Sequence, residues 1–235
     1  MRVGTRQAAV FGAPLQHYQR VLATCPIAYW PLWEPSGAVV YGLVGGLNGT
    51  HVAVTPGALG IGDGRTSVLY DGATSYTNIH SAGLAGAFNG DEMSLLVWGL
   101  VSSGVWSDNT YRTLVRLLVN GTNWLSIYKY TNNRIYGTYL AGGTATELGI
   151  TVSPAGFFCV GLTISKSNDA FKLYYNGVQQ GTTQTGLGVW SGALTQCIIG
   201  ADDTTPGNPW SGLIAHVMVS SNALPPATIE ALARP

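Results

Sequence analysis

The 235-residue chain carries eleven acidic side chains, four histidines and three cysteines, and their spacing decides what chemistry they could perform. Glycoside hydrolysis needs two carboxylates about 5–9 Å apart, flanking one bond. The close acidic pairs here are Asp91-Glu92 and Asp202-Asp203. Adjacent residues of a strand point to opposite faces, so neither pair can flank a bond from one surface, and both read as turns. No Gly-x-Ser-x-Gly elbow occurs. His17, His51, His80 and His216 stand singly, and Cys25, Cys159 and Cys197 lack CxxC spacing, so no zinc site is assigned. Cys159 and Cys197 read as buried small hydrophobes, with a disulfide between them left open. The chain is expected not to be an enzyme, and no catalytic residue is assigned.

The elements that must hold these residues are strands. Phe158, Val160, Leu162 and Ile164 alternate with Cys159, Gly161, Thr163 and Ser165, and Phe171, Leu173 and Tyr175 alternate with Lys172, Tyr174 and Asn176. That period of two marks half-buried strands. Asn176-Gly177 then predicts a type I′ hairpin turn, which needs positive φ at both central residues. Further runs predict strands at 27–33, 50–54, 66–70, 74–79, 93–101, 111–119, 124–130, 133–140, 144–151, 178–184, 195–199 and 211–219. A short helix is expected within 14–23, where Leu15, Tyr18 and Leu22 have helical spacing, and another from Pro226, with Ile229 and Leu232 facing the body. Trp30, Leu32, Leu69, Leu95, Val97, Leu162, Leu173, Tyr175, Ile199, Leu213 and Val217 are the expected core. Met93 to Val101 and Leu213 to Val219 are apolar on both faces, which predicts a cover on each side: a loop, the 225–233 helix or another protein.

Four pieces in order carry a family resemblance. LTISKSNDAFKLYYNGVQQGT resembles the central hairpin of laminin-G-like, concanavalin A-like jelly-roll modules. The stretches 28–37 (AYWPLWEPSG), 62–79 (GDGRTSVLYDGATSYTNI) and 199–232 resemble the opening, second and closing segments of the same modules. The resemblance implies an all-β, two-sheet antiparallel jelly-roll sandwich over 27–235, preceded by an N-terminal arm at 1–26. Glucanases of this family place both carboxylates on one strand as E-x-D-x-(x)-E, a pattern absent here.

Lectins of this fold hold sugars on aromatic rings with a few amides and carboxylates, often aided by calcium. Tyr128 and Tyr130, which share a strand face, and Trp106, Trp190 and Trp210, each flanked by turn residues, are the candidate carbohydrate-binding residues. The alternative is that the tryptophans pad loops and interfaces. Asp63, Asp71, Asp202 and Asp203 sit in loops but give no three oxygen ligands at alternate positions. No metal site is assigned, and calcium is the one cofactor left open.

Only 9% of the residues are charged, the net charge is zero and 46% are hydrophobic, against about 25% charged in ordinary soluble proteins. No apolar run reaches the ~18 residues of a membrane span, and neither a membrane nor a nucleic acid is an expected partner. Residues 1–26 carry Arg2, Arg6 and Arg20 without an acid, plus Phe11, Leu15 and Tyr18, and read as an assembly arm made without a signal peptide. The stretch from Tyr18 to Trp30 resembles stand-alone modules of the family found among tailed-phage structural proteins. The resemblance therefore implies a virion-associated structural protein, a capsid decoration or tail-associated jelly roll, with other virion subunits or its own copies as partners. The alternative is a carbohydrate-binding or host-adhesion module at a cell surface with a glycan ligand.

Overall fold

The computed structural model describes residues 15–235 apart from Ala155. The first strands are β1 (Ala28–Trp30), β2 (Val39–Val40), β3 (Gly49–Val52), β4 (Thr55–Ala58), β5 (Ser67–Asp71), β6 (Tyr76–Asn78), β7 (Glu92–Leu100) and β8 (Arg112–Asn120). They are followed by β9 (Asn123–Lys129), β10 (Ile135–Ala141), β11 (Thr144–Ile150), β12 (Phe158–Ser165), β13 (Ala170–Tyr175), β14 (Val178–Gln184), β15 (Gln196–Ile199) and β16 (Ser211–Ser220). Four short helices accompany them: α1 (His17–Leu22), α2 (Ala82–Ala87), α3 (Ser103–Trp106) and α4 (Pro226–Ala233). Every strand expected from the sequence is present. The two unexpected ones, β2 and β4, are short, and Pro56 and Gly57 hide the latter.

The strands form two antiparallel sheets. One runs β14-β13-β12-β7-β16-β5-β4, with β1 also pairing on β16; the other runs β11-β10-β9-β8-β15-β6-β3-β2. Leu95, Val97, Val160, Leu162 and Leu173 of the first sheet meet Leu114, Leu117, Leu125, Ile127 and Tyr139 of the second in one buried core. Two expected core residues lie elsewhere. Leu69 is 41% exposed, because its neighbours Val68 and Tyr70 take the inward positions of β5. Leu213 is its cross-strand partner and shares its outward side. Tyr175 is half-buried at the core's edge.

The outer face of the first sheet is covered by the chain itself. Leu96, Trp98, Cys159, Tyr174 and Met218 pack under Val21 of α1 and Ile229 and Leu232 of α4. Each buried aliphatic there contributes about 1.5–3 kcal/mol relative to exposure. Of the assembly arm expected over residues 1–26, the part that forms α1 packs on this chain's own sheet. Tyr18 packs edge-on to Trp33 at 5.4 Å, and the Arg20 guanidinium donates to the Arg234 carbonyl. Leu15 is exposed, while Arg2, Arg6 and Phe11 lie outside the described residues.

The β13–β14 hairpin explains the Asn-Gly pair. Asn176 and Gly177 have φ of 48° and 85°, and Tyr175 pairs with Val178 across a two-residue loop. Gly177 meets a second demand, since a Cβ there would lie 2.7 Å from the Glu230 Cα of α4. Cys159 lies under the helices and Cys197 between the sheets, both as free thiols, so the disulfide left open is not formed.

Candidate functional site

Among the described residues no helix covers the outer face of the second sheet, and the composition of that face follows from strand alternation. On β9, Leu125 and Ile127 enter the core, so Trp124, Ser126 and Tyr128 point outward. On β10, Ile135 and Tyr139 point inward, leaving Tyr136 and Thr138 outside. Gly137 points inward as well, where a Cβ would approach Leu173 at 2.9 Å. Register then aligns the outer residues. Tyr128 lies opposite Tyr136 and Ser126 opposite Thr138, Thr138 lies opposite Glu147 of β11, and Arg116 of β8 lies opposite Ser126.

Tyr128, Tyr130, Tyr136 and Glu147 line an open pocket of about 280 Å³. The Tyr128 and Tyr136 rings stack, 5.5 Å apart and 9° from parallel. Tyr130 stands nearly perpendicular to them, at 73° to Tyr128 and 76° to Tyr136. Tyr111 extends the cluster, 4.8 Å from Tyr128 and 5.5 Å from Tyr130. The Tyr128 hydroxyl donates to Glu147 Oε2 at 2.6 Å, and Thr138 Oγ1 donates to the same oxygen at 2.7 Å. Burial, reinforced by the bond to Glu147, pushes the Tyr128 hydroxyl far above the ordinary phenol range, so it stays a neutral donor. Burial likewise raises Tyr111.

The ring cluster is fixed from beneath. Lys129, fully buried, donates to Asp108 Oδ1 at 2.6 Å and to the Thr110 carbonyl at 3.0 Å. Burial alone would raise the Asp108 carboxyl, but bonds from Lys129 and Arg112 outweigh it and hold it at about 2. The Asn109 and Asn133 amides pair at 2.7 Å, tying the loop before Tyr111 to the turn after Tyr130. Both tyrosines thus sit on ordered backbone. Beside the pocket, Arg116 lies over Trp124 at 5.0 Å and 3.9 Å from Asp202.

Of the aromatic residues singled out in the sequence, Tyr128 and Tyr130 come together in this pocket. The tryptophans do not join them. Trp210 is fully buried and Trp106 nearly so, both edge-on to Phe158 at 6.3 and 6.4 Å. Trp190 stacks on the core ring of Tyr139 at 5.6 Å. Trp106 ends α3, Trp190 lies between β14 and β15, and Trp210 immediately precedes β16; all three are buried, so they do not present a platform. Sequence reasoning missed Tyr111 and Tyr136 and gave Glu147 no binding role. The register of the β9–β10 hairpin, turning at Thr131–Asn133, was the signal that sets Tyr136 opposite Tyr128.

The loop acids are committed locally. Asp71 Oδ1 accepts from the amides of Ala73, Thr74 and Ser75, and Asp203 from that of Thr205. Asp202 accepts from Thr113 Oγ1 and Asn208 Nδ2, and Asp63 faces His216 at 3.2 Å. Among the described residues no three His, Cys, Asp or Glu side chains converge on one point.

Several solved structures share this architecture. Domain 4 of an extracellular arabinanase from Geobacillus stearothermophilus, in complex with arabinotriose, is 15% identical, with a TM-score of 0.62 over 89% of this chain and 98% of that one. The CBM40 domain of the Ruminococcus gnavus IT-sialidase, bound to alpha2,3 sialyllactose, is 16% identical, with a TM-score of 0.60 over 72% and 96%. The receptor binding domain of a botulinum neurotoxin C/D mosaic serotype is 13% identical, with a TM-score of 0.67 over 88% of this chain, which spans 50% of that one. At such identities the likeness is one of fold. No curated protein matches the sequence. The profile of the concanavalin A-like lectin/glucanases superfamily matches residues 71–230, more than half of the chain. On that match and on the two-sheet sandwich, the chain belongs to the concanavalin A-like lectin/glucanases superfamily.

Proposed function

We propose that the chain is a lectin-like module that binds a glycan on the outer face of its second sheet, without turnover. The observation that carries this reading is the pocket itself: three tyrosines and one carboxylate around about 280 Å³, built on paired strands. Aromatic rings stack on the apolar faces of sugars, and a carboxylate accepts from their hydroxyls. The arabinotriose and sialyllactose held by the arabinanase domain and the CBM40 domain support it. Among the described residues the pocket's lining holds one carboxylate, Glu147, where hydrolysis uses two.

A glycan array followed by titration of its best hits tests the reading. Tyr130 is 43% exposed, so Tyr130→Ala costs little stability, and it should weaken binding at least about tenfold, the scale of one lost aromatic contact. Binding unchanged in Tyr130→Ala, with the same glycans retained, would place the site elsewhere.

A virion-associated assembly role is the second reading, and it has narrower support. The strands apolar on both faces no longer call for a partner, since α1 and α4 cover them. What favours assembly is an apolar groove of about 490 Å³ beside them, lined by Leu69, Leu100, Val105 and Leu213. Light scattering over a concentration series should then show self-association that Leu69→Asp abolishes. A monomer at every concentration would remove self-assembly.

A further inference from the structure

The charge balance of the same pocket bears on its ligand. Glu147 receives two neutral O–H donors at Oε2, and among the described residues no ion pair includes it. Two guanidiniums lie nearby, and both have partners. Arg134 donates to the Gly149 carbonyl and lies over the Tyr136 ring at 5.6 Å without lining the pocket, and Arg116 faces Asp202 at 3.9 Å. Among the described residues the one charged group lining the pocket is an anion, set beside the exposed Tyr130 ring, whose π-face attracts cations. Tyr130 stands at 73° and 76° to the parallel pair Tyr128 and Tyr136, so two ring orientations bound the same space.

From this arrangement we infer that the sugar taken by the pocket carries a free, protonated amine; the inference rests on the glycan-binding reading above. An ammonium group donates a charge-assisted hydrogen bond to Glu147 and lies against the tyrosine faces. Glu147 is exposed, so a neutral sugar leaves its charge to solvent, whereas an ammonium adds an ion pair to the hydrogen bond. A sugar acid brings a second anion to a pocket with no arginine in its lining, which selects against it. The volume, about 280 Å³, lies just under the ~300–1,000 Å³ of usual ligand pockets and suits a single sugar ring.

The test titrates the full chain at pH 6 with fully deacetylated chitosan oligosaccharides and with fully N-acetylated oligosaccharides of the same length. The two differ only in amine against acetamide. Glucuronate oligosaccharides and glucose oligomers complete the set. The deacetylated oligomer should bind at least about tenfold more tightly than its acetylated counterpart. That ratio should fall with added salt and approach one in Glu147→Gln, through loss of affinity for the amine form. Circular dichroism confirms that the variant is folded. Equal affinities for amine and acetamide, or tighter binding of glucuronate, overturn the inference and leave the glycan-binding reading standing. A preference that persists in Glu147→Gln is non-specific attraction and overturns it too. Absence of binding to any glycan, in the array and in titration, overturns both.

Discussion

Leu162→Ala lowers the stability of the fold by about 2–5 kcal/mol. Leu162 is fully buried at the centre of β12, with Leu95 of β7 on one side and Leu173 of β13 on the other. It also reaches the opposite sheet, since a Cβ at Gly137 of β10 would meet the Leu162 side chain at 3.5 Å. Truncation therefore removes contacts in three directions. The void it leaves cannot close cheaply, because backbone pairing on both sides of β12 fixes the strand's position. Transfer and cavity costs add, which puts the change near the upper half of the range. Urea unfolding measures it against Leu59→Ala, a side chain 74% exposed, which should stay within about 0.5 kcal/mol of the parent. Equal midpoints for the two variants would mean that Leu162 is not a core residue.

What the sequence discloses depends on how many partners a feature needs. The β12–β13–β14 meander is legible because alternation and an Asn-Gly turn are local properties of the chain. Leu69 is misread for a related reason: Val68, Leu69 and Tyr70 are all apolar, so composition along β5 does not say which alternate set faces in. The doubly apolar β7 and β16 correctly announce a second cover, and the helical spacing of Leu15, Tyr18 and Leu22 announces α1. That α1 itself supplies part of the cover is a tertiary fact. The binding face divides the same way. Tyr128 and Tyr130 share a face by period two, whereas Tyr136 and Glu147 join them only through cross-strand register. The three tryptophans are the reverse case. Turn residues around Trp106, Trp190 and Trp210 indicate exposed connections, but whether a ring stands out or turns inward depends on distant partners, Phe158 for Trp106 and Trp210 and Tyr139 for Trp190.

Acid should loosen the cover of the first sheet before it unfolds the sandwich. His17 of α1 and His216 of β16 are buried with their rings 4.8 Å apart. Around them stand the Tyr29 hydroxyl, 2.8 Å from His216 Nδ1, and Asp63, 3.2 Å from His216 Nε2. Arg20 lies 3.4 Å from His17 Nδ1, and the Arg234 carbonyl 3.3 Å from it. Burial, and then the neighbouring His216, lower the His17 pKa from 6.5 to about 4. Burial lowers His216 as well, although Asp63 works against it. A histidine depressed in the folded state takes up its proton more readily once released, so stability is constant above about pH 6.5 and falls as pH drops toward about 4. For His17 that interval corresponds to about 3 kcal/mol. Asp63 acts in a lower window. Burial would raise its carboxyl, but the bond and charge of His216 hold it below the ordinary value of 3.8, so its contribution is lost only as pH falls beneath that value. Hydrogen exchange should therefore show α1 opening between pH 6 and 4 while β16, paired on both sides within its sheet, and β9 and β10 stay protected. His17→Leu keeps the apolar contacts of α1 and removes the titrating ring, so the fall in urea midpoint over this interval should shrink by the His17 share. A pH profile identical to that of the parent would show that protonation of His17 does not govern the docking of α1.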